Sequence, residues 1–189
     1  VAVRRQRQMC IRDSSYTGAD VSNYSVTDQS STTANITAKS LTVSGITASS
    51  KTYDGSVTAT MDGTSAVYSG LVSGDTFTGS YTGVFSNANV GTGKTVTITS
   101  SYSGADSGNY TVTDQSSTTA DISVKALTAT ASTANKAYDG GTTATTTLTF
   151  TGLVGSETLG QTVGSTFDNK NVGSNKTVTV NSITLADGS

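Results

Sequence analysis

The chain has 189 residues, a net charge of −2, and no His, Trp or Pro. Without His it lacks the side chain that most often acts as a general base near neutral pH and the most common metal ligand. Its single Cys cannot form an internal disulfide or a cysteine-based zinc site. Glu157 is its only Glu, and nothing in the sequence places two carboxylates on a common scaffold, as glycoside hydrolysis requires. We therefore expect that the protein is not an enzyme.

Segments with alternating apolar and polar residues predict β-strands. Residues 95–99 (TVTIT), 110–113 (YTVT) and 122–124 (ISV) have the period of two that is typical of half-buried strands. Thr and Val favour strands because branching at Cβ fits a pleated surface. The pattern predicts an all-β fold with six to eight short strands in each structural unit. Turns separate the strands, and four turn glycines are expected to supply positive φ angles: Gly55, Gly63, Gly74 and Gly91.

An internal repeat of about 85 residues organises the chain. SYTGADVSNY at 15–24 recurs as SYSGADSGNY at 101–110, an offset of 86 residues. VTDQSSTTANI at 26–36 recurs as VTDQSSTTADI at 112–122 with the same offset. Self-similarity at a fixed period is the sequence signature of repeat proteins. The chain therefore contains consecutive copies of one structural unit.

Two further motifs recur in the same order. KTYDG at 51–55 returns as KAYDG at 136–140, an offset of 85 residues. An NVG-x-x-KTVT segment at 89–97 returns at 171–179, an offset of 82 residues. We expect the shrinking offset to arise in loops, which tolerate changes of length.

The order of the motifs divides the chain into repeats. We predict that 41–126 is a complete repeat, that 15–40 is the C-terminal part of a preceding repeat, and that 127–189 is a truncated following repeat. No Gly- or Pro-rich spacer interrupts 122–128, so we expect neighbouring repeats to be joined stiffly. The two partial repeats together hold one set of motifs, and strands without partners invite pairing with another chain. We expect them to pair head to tail between chains.

Residues 1–14 differ in composition from the rest. They contain all four Arg residues, the only Cys and one Asp, a net charge of +3 that leaves −5 for 15–189. A basic arm for nucleic acid or lipid is one reading of this segment. Its QMCIRDS string instead resembles translated adapter or vector sequence, and it stands where the complete repeat has KTVTITS. We interpret 1–14 as a foreign, non-native head.

The repeated motifs resemble a known family. The Tyr-Asp-Gly segments, the NVG-x-x-KTVT segments and the A-D-x-x-N-Y segments are similar to the YDG-type repeats of very large bacterial surface proteins, many of which resemble filamentous haemagglutinins. The segment 106–110 (DSGNY) also resembles the entry to strand F of immunoglobulin-like domains, where a Tyr hydroxyl bonds back to the backbone at a tyrosine corner. The predicted architecture is tandem Ig-like β-sandwich modules, with a β-grasp-like module as the alternative.

The motifs supply a set of structural signature residues rather than catalytic, cofactor-binding or metal-binding ones. In the Tyr-Asp-Gly motif we expect Tyr to pack on the core, Asp to cap the turn and Gly to adopt a conformation that a Cβ would forbid. No cofactor is expected; calcium bound by Asp and carbonyl oxygens is possible, although no EF-hand loop pattern occurs. The signature residues are Tyr53, Asp54, Gly55, Tyr138, Asp139, Gly140, Asn89, Gly91, Asn171, Gly173, Tyr24 and Tyr110.

The resemblance implies a structural function. The expected role is that of stalk or spacer repeats in a secreted bacterial cell-surface adhesin that project a distal adhesive region. In the alternative, the repeats themselves bind host glycans or matrix proteins, for which Tyr68 and Tyr81 are candidate exposed aromatic residues. The expected partners are neighbouring repeats of the same protein, not nucleic acid. No run of about 20 apolar residues predicts a membrane-spanning segment, and we expect an extracellular location.

Overall fold

The structure, a computed structural model, describes residues 16–27, 29 and 31–188. It divides into two units, residues up to Thr37 and residues from Ala38 onwards. In the first unit, Val21–Asn23 forms a 3₁₀ turn, and residues 31–37 have no regular secondary structure and are exposed. The interpretation of 1–14 as a foreign head concerns residues outside the described ones.

The second unit consists of β-strands, so the prediction of an all-β fold is confirmed. Its one short 3₁₀ helix, Ser107–Asn109, matches the turn Val21–Asn23 at the repeat offset of 86 residues. We call 38–123 the complete repeat and 124–188 the second repeat. The strands of the complete repeat are β1 (Lys39–Ser44), β2 (Thr47–Ala48), β3 (Lys51–Thr52), β4 (Thr58–Ala59), β5 (Met61–Asp62), β6 (Val67–Ser69), β7 (Thr78–Phe85), β8 (Gly91–Ser103), β9 (Tyr110–Thr113) and β10 (Ser117–Ser123). Those of the second repeat are β11 (Thr128–Thr133), β12 (Thr146–Thr151), β13 (Leu159–Phe167) and β14 (Val178–Asp187).

Two larger sheets form the complete repeat. The first has the order β6-β1-β9, and the second has the order β3-β10-β8-β7-β4. A small sheet of β2 and β5 completes the structure. The ten strands exceed the six to eight predicted because β2, β3, β4 and β5 have only two residues each.

The core of the complete repeat lies between these sheets. Val96 and Ile98 are two residues apart on β8, so both point inward, as the alternating pattern predicted. Each belongs to a different buried cluster along the same long strand. The cluster around Ile98 contains Leu41, Val43, Ile46 and Tyr110. The cluster around Val96 contains Ala59, Phe85, Ala120 and Ile122.

The Ig-like details of the predicted architecture are not confirmed. β1 pairs in parallel with β9, and β10 pairs in parallel with β3. Tyr110 does bond to the backbone, but its hydroxyl accepts from the N–H of Val72 (3.0 Å), 38 residues upstream, whereas a tyrosine corner bonds a few residues upstream. The same hydroxyl donates to Asp75. Tyr110 therefore holds the 72–75 turn rather than a local corner.

The second repeat reproduces the pairings of the complete repeat. β11 pairs with β12 as β1 pairs with β6, and β13 pairs with β14 as β7 pairs with β8. The offset falls from 85 to 82 residues between β5 and β6, whose equivalents merge into the single strand β12. The length change therefore removes a turn, as expected for a loop.

No helix in the described part of the chain is both long and apolar enough to cross a membrane.

Candidate functional site

A lysine organises the signature loop of the complete repeat. The ammonium group of Lys51 lies 2.7 Å from a carboxylate oxygen of Asp54. It also donates to the carbonyl oxygens of Ser56 (2.7 Å) and Thr58 (3.1 Å). The same ammonium lies 5.5 Å from the centroid of the Phe85 ring, within the range of a cation–π contact. Lys51 thus ties both sides of the loop together.

Asp54 and Gly55 have the roles that the sequence predicted. Asp54 accepts a hydrogen bond from the backbone N–H of Ser56 (2.9 Å), which caps the turn. Hydrogen bonds from Lys51 and then from Ser56 lower the pKa of the Asp54 carboxyl. Gly55 has a φ of +75°, a left-handed conformation that disfavours any residue with a Cβ.

The second repeat builds the same loop. Lys136 lies 2.8 Å from a carboxylate oxygen of Asp139 and donates to the carbonyl oxygens of Gly141 (3.1 Å) and Thr143 (3.0 Å). Asp139 accepts from the N–H of Gly141 (2.9 Å), and Gly140 has a φ of +79°. The Lys136 ammonium lies 5.9 Å from the centroid of the Phe167 ring. The loop is therefore a conserved geometry of the two copies and not a feature of one.

The NVG loop is held by residues beside the predicted ones. Asn87, not Asn89, supplies the capping side chain: its oxygen accepts from the N–H of Asn89 (3.0 Å) and from Lys94 (2.7 Å). Gly91 does not have a positive φ, which corrects its predicted role. A Cβ at Gly91 would lie 3.4 Å from the side chain of Lys94, so glycine is favoured there by close approach. Gly63 likewise lacks a positive φ, whereas Gly55 and Gly74 have one as predicted.

The NVG loop of the second repeat repeats this arrangement. Asn169 accepts from the N–H of Asn171 (3.0 Å) and from Lys176 (2.7 Å). Lys176 also lies 2.7 Å from Asp168, and this contact lowers the pKa of the Asp168 carboxyl. Gly173 faces the stem of Lys176, as Gly91 faces that of Lys94.

The two signature tyrosines differ in their surroundings. Tyr53 is half-buried against the core cluster around Val96, and its hydroxyl donates to Glu157 of the second repeat. That hydrogen bond is the main cause that raises the pKa of Tyr53. Beside it, a Cβ at Gly55 would lie 3.0 Å from Val154. Tyr138 is 63% exposed, so the expectation of core packing is met by Tyr53 only.

The remaining signature tyrosines also differ. Tyr110 is buried in the core of the complete repeat, whereas Tyr24, its equivalent at the offset of 86 residues, is 75% exposed. The turns before the two tyrosines are alike: Asn23 donates its N–H to Asp20, and Asn109 donates its N–H to Asp106, both at 3.0 Å. The local turn forms from sequence alone, and burial of the tyrosine depends on the strands around it.

The aromatic residues considered for ligand binding lie in the core instead. Tyr68 and Tyr81 are half-buried, and their hydroxyls are 2.9 Å apart. Phe77 packs edge-on against Tyr68, with ring centroids 5.3 Å apart, and also contacts the ring of Tyr102. Burial and then the hydrogen bond to Asp114 raise the pKa of Tyr102 to about 12. These rings stabilise the complete repeat and do not form an exposed aromatic patch.

Sequence reasoning missed the role of the lysines, although it quoted them within the motifs. Lys51 and Lys136 recur at the same offset as the Tyr-Asp-Gly residues, and Lys94 and Lys176 at the same offset as NVG. That recurrence was the available signal. Among the residues that the structure describes, no group of three or more acidic, Cys or His side chains is placed to hold a metal ion.

A protein-family model described as the YDG domain matches residues 37–120 and again residues 123–189. No curated protein and no solved structure matches the chain.

Proposed function

Because the chain belongs to the YDG domain family, we propose that its repeats are structural spacers in the stalk of a secreted bacterial cell-surface adhesin. The stalk resembles that of filamentous haemagglutinin-like proteins and projects a distal adhesive region away from the cell. The proposal assigns no catalytic step to these residues.

The observation that carries the proposal is the contact between successive repeats. Only four residues separate the end of β10 from the start of β11. Across this short connection, Tyr53 of the signature loop donates to Glu157, and Val154 stands next to Gly55. A short connection supported by side-chain contacts resists bending, which a spacer requires.

The positions of the aromatic residues favour a spacer over a glycan- or matrix-binding repeat. Binding surfaces are commonly exposed apolar patches. Tyr68 and Tyr81, the residues named for such a surface, pack inside the complete repeat.

Small-angle X-ray scattering on 37–189 tests the stiffness of the junction. We expect the profile of an elongated rod, and we expect Tyr53→Phe to broaden the distribution of end-to-end distances because the hydroxyl contact is lost. Tyr138→Phe is the matched control, since that equivalent tyrosine is exposed. A flexible profile for the unsubstituted protein, or equal profiles for both variants, would contradict the role of this contact.

Labelling of intact bacteria tests the location. Antibodies raised against 37–189 should stain unpermeabilised cells that produce the protein, and external protease should remove the signal. Staining that requires permeabilisation would refute a surface stalk.

A further inference from the structure

One strand of the complete repeat fills a space that is open in the second repeat. β10 lies between β3 and β8, with Ile122 opposite Lys51 on one side and opposite Gly91 on the other. Ala120 lies opposite Lys94. Ile122 is 1% exposed and Ala120 is 6% exposed, so β10 supplies one side of the core.

The corresponding space in the second repeat is a groove of about 700 Å³. The sheet of β13 and β14 has only two strands, and no strand equivalent to β10 occurs in the described residues 124–188. Tyr138 and Val172 are exposed along the groove (63% and 89%). The groove is lined by the equivalents of the residues that contact β10, namely Lys136, Phe167, Gly173, Lys176 and Val178.

The first unit carries a segment with the sequence of the missing strand. Residues 31–37 read STTANIT, and β10 reads STTADIS, identical at five of seven positions. The segment has no strand partner in the structure, and Ile36, the equivalent of the buried Ile122, is fully exposed. We propose that the groove of the second repeat is a strand-acceptor site and that residues 31–37 of a second copy of this chain occupy it.

The register of the docked strand follows from the complete repeat. Ile36 takes the place of Ile122 between Lys136 and Gly173, and Ala34 lies opposite Lys176. The backbone of the inserted segment then forms the ladder that β10 forms with β3 and β8. Strand addition of this kind gains affinity from main-chain hydrogen bonds and specificity from alternate side chains.

One polar contact of β10 also has an equivalent. Asp121 accepts from the N–H of Gly93 (2.7 Å), and Gly93 has a φ of +57°. Asn175, the equivalent of Gly93, is the only non-glycine residue with positive φ in the described part of the chain, at +53°. Its N–H therefore occupies the position that faces the inserted strand. Asn35, the equivalent of Asp121, supplies a side-chain oxygen that accepts from it.

A second copy is the occupant because of where each strand lies along the chain. β10 also directly precedes the second repeat, yet it pairs within the repeat before that one. Residues 31–37 stand in the same position before the complete repeat, from which only Ala38 separates them. They are tethered to a repeat whose own groove β10 already fills. The inference concerns how copies associate and does not rest on the proposed function.

Sedimentation velocity of the full chain over increasing concentration tests the proposal. We expect concentration-dependent oligomers, and we expect Ile36→Asp to weaken association by about 10- to 100-fold, the effect of losing one buried isoleucine. Val21→Asp is the matched control, because Val21 is exposed and the complete repeat has Ser107 at the equivalent position. This variant should associate as the unsubstituted chain does.

A synthetic peptide of residues 29–38 provides a second test that needs no variant protein. The peptide should bind the full chain and convert its oligomers to monomers, and the same peptide with Ile36→Asp should not. The proposal is overturned if the chain remains monomeric up to about 1 mM, if Ile36→Asp and Val21→Asp associate equally, or if the two peptides act alike.

Discussion

Replacing Lys51 by Met removes the charge at the centre of the signature loop and keeps an unbranched stem of similar length. The ammonium group contacts Asp54, Ser56 and Thr58, and its side chain is only 18% exposed. Met preserves apolar contact with Phe85 but leaves two carbonyl oxygens and a carboxylate without their donor. Lys51→Met therefore tests whether this lysine organises the loop.

The expected loss of stability is moderate. A hydrogen bond that involves a charged group contributes about 1.5–3 kcal/mol when shielded, and an exposed ion pair contributes only about 0.2–1 kcal/mol. The Asp54 side chain is 54% exposed, so most of the effect comes from the bonds to the two carbonyl oxygens. We expect Lys51→Met to lower the free energy of unfolding by about 2 kcal/mol, reduced from the sum of these terms because water replaces part of each bond.

Urea unfolding of 37–126, followed by far-ultraviolet circular dichroism, measures this change. The same substitution at the exposed Lys125 is the control, and we expect it to change stability by less than about 0.5 kcal/mol. If Lys51→Met and Lys125→Met have equal stabilities, the hydrogen bonds of Lys51 are not what holds the loop, and the account of the signature geometry is wrong.

Three further outcomes are expected. The fragment 37–126 should unfold in one cooperative transition, whereas 45–126, which lacks β1 with Leu41 and Val43, should have the circular dichroism spectrum of a coil; a folded 45–126 would contradict the described core. The folded-state pKa of Tyr102, about 12, lies above the unfolded value of about 10, so its contribution to stability is present below pH 10 and is lost as the pH rises through 12. Ultraviolet titration should show this late ionisation, and a normal midpoint would disprove the burial of the ring. Millimolar calcium or a chelator should leave the melting temperature unchanged, and a clear rise with calcium would reveal a site of carboxylates and carbonyls.

The sequence was sufficient for the features that depend on local geometry. Alternation at 95–99 predicted a strand with one buried face, and Val96 and Ile98 are buried as expected. Asp54 before Gly55 predicted a capped turn with a left-handed glycine, because an Asp side chain and a residue without Cβ favour that turn in any context. Both features repeat at Asp139.

Features that depend on distant partners could not be read in the same way. Nothing local to Tyr53 indicates that its hydroxyl meets Glu157, 104 residues away. The NVG glycine was assigned a positive φ, but Gly91 is required by the stem of Lys94 folding back over it. The tyrosine corner failed for the same reason, since Tyr110 bonds to the distant Val72. Strand order, too, follows from long-range pairing and not from motif spacing.

The parallel pairings at both ends of the complete repeat determine how it bears mechanical load. Tension along a chain of repeats enters at Lys39, the start of β1, and leaves at Ser123, the end of β10. β1 is bonded to β9 along four residue pairs, and β10 is bonded to β3 and β8 on its two edges. Sliding either strand out under tension shears its bonds together instead of opening them one by one. Resistance to pulling is then governed by the rate of forced unfolding and not by the equilibrium stability of the repeat.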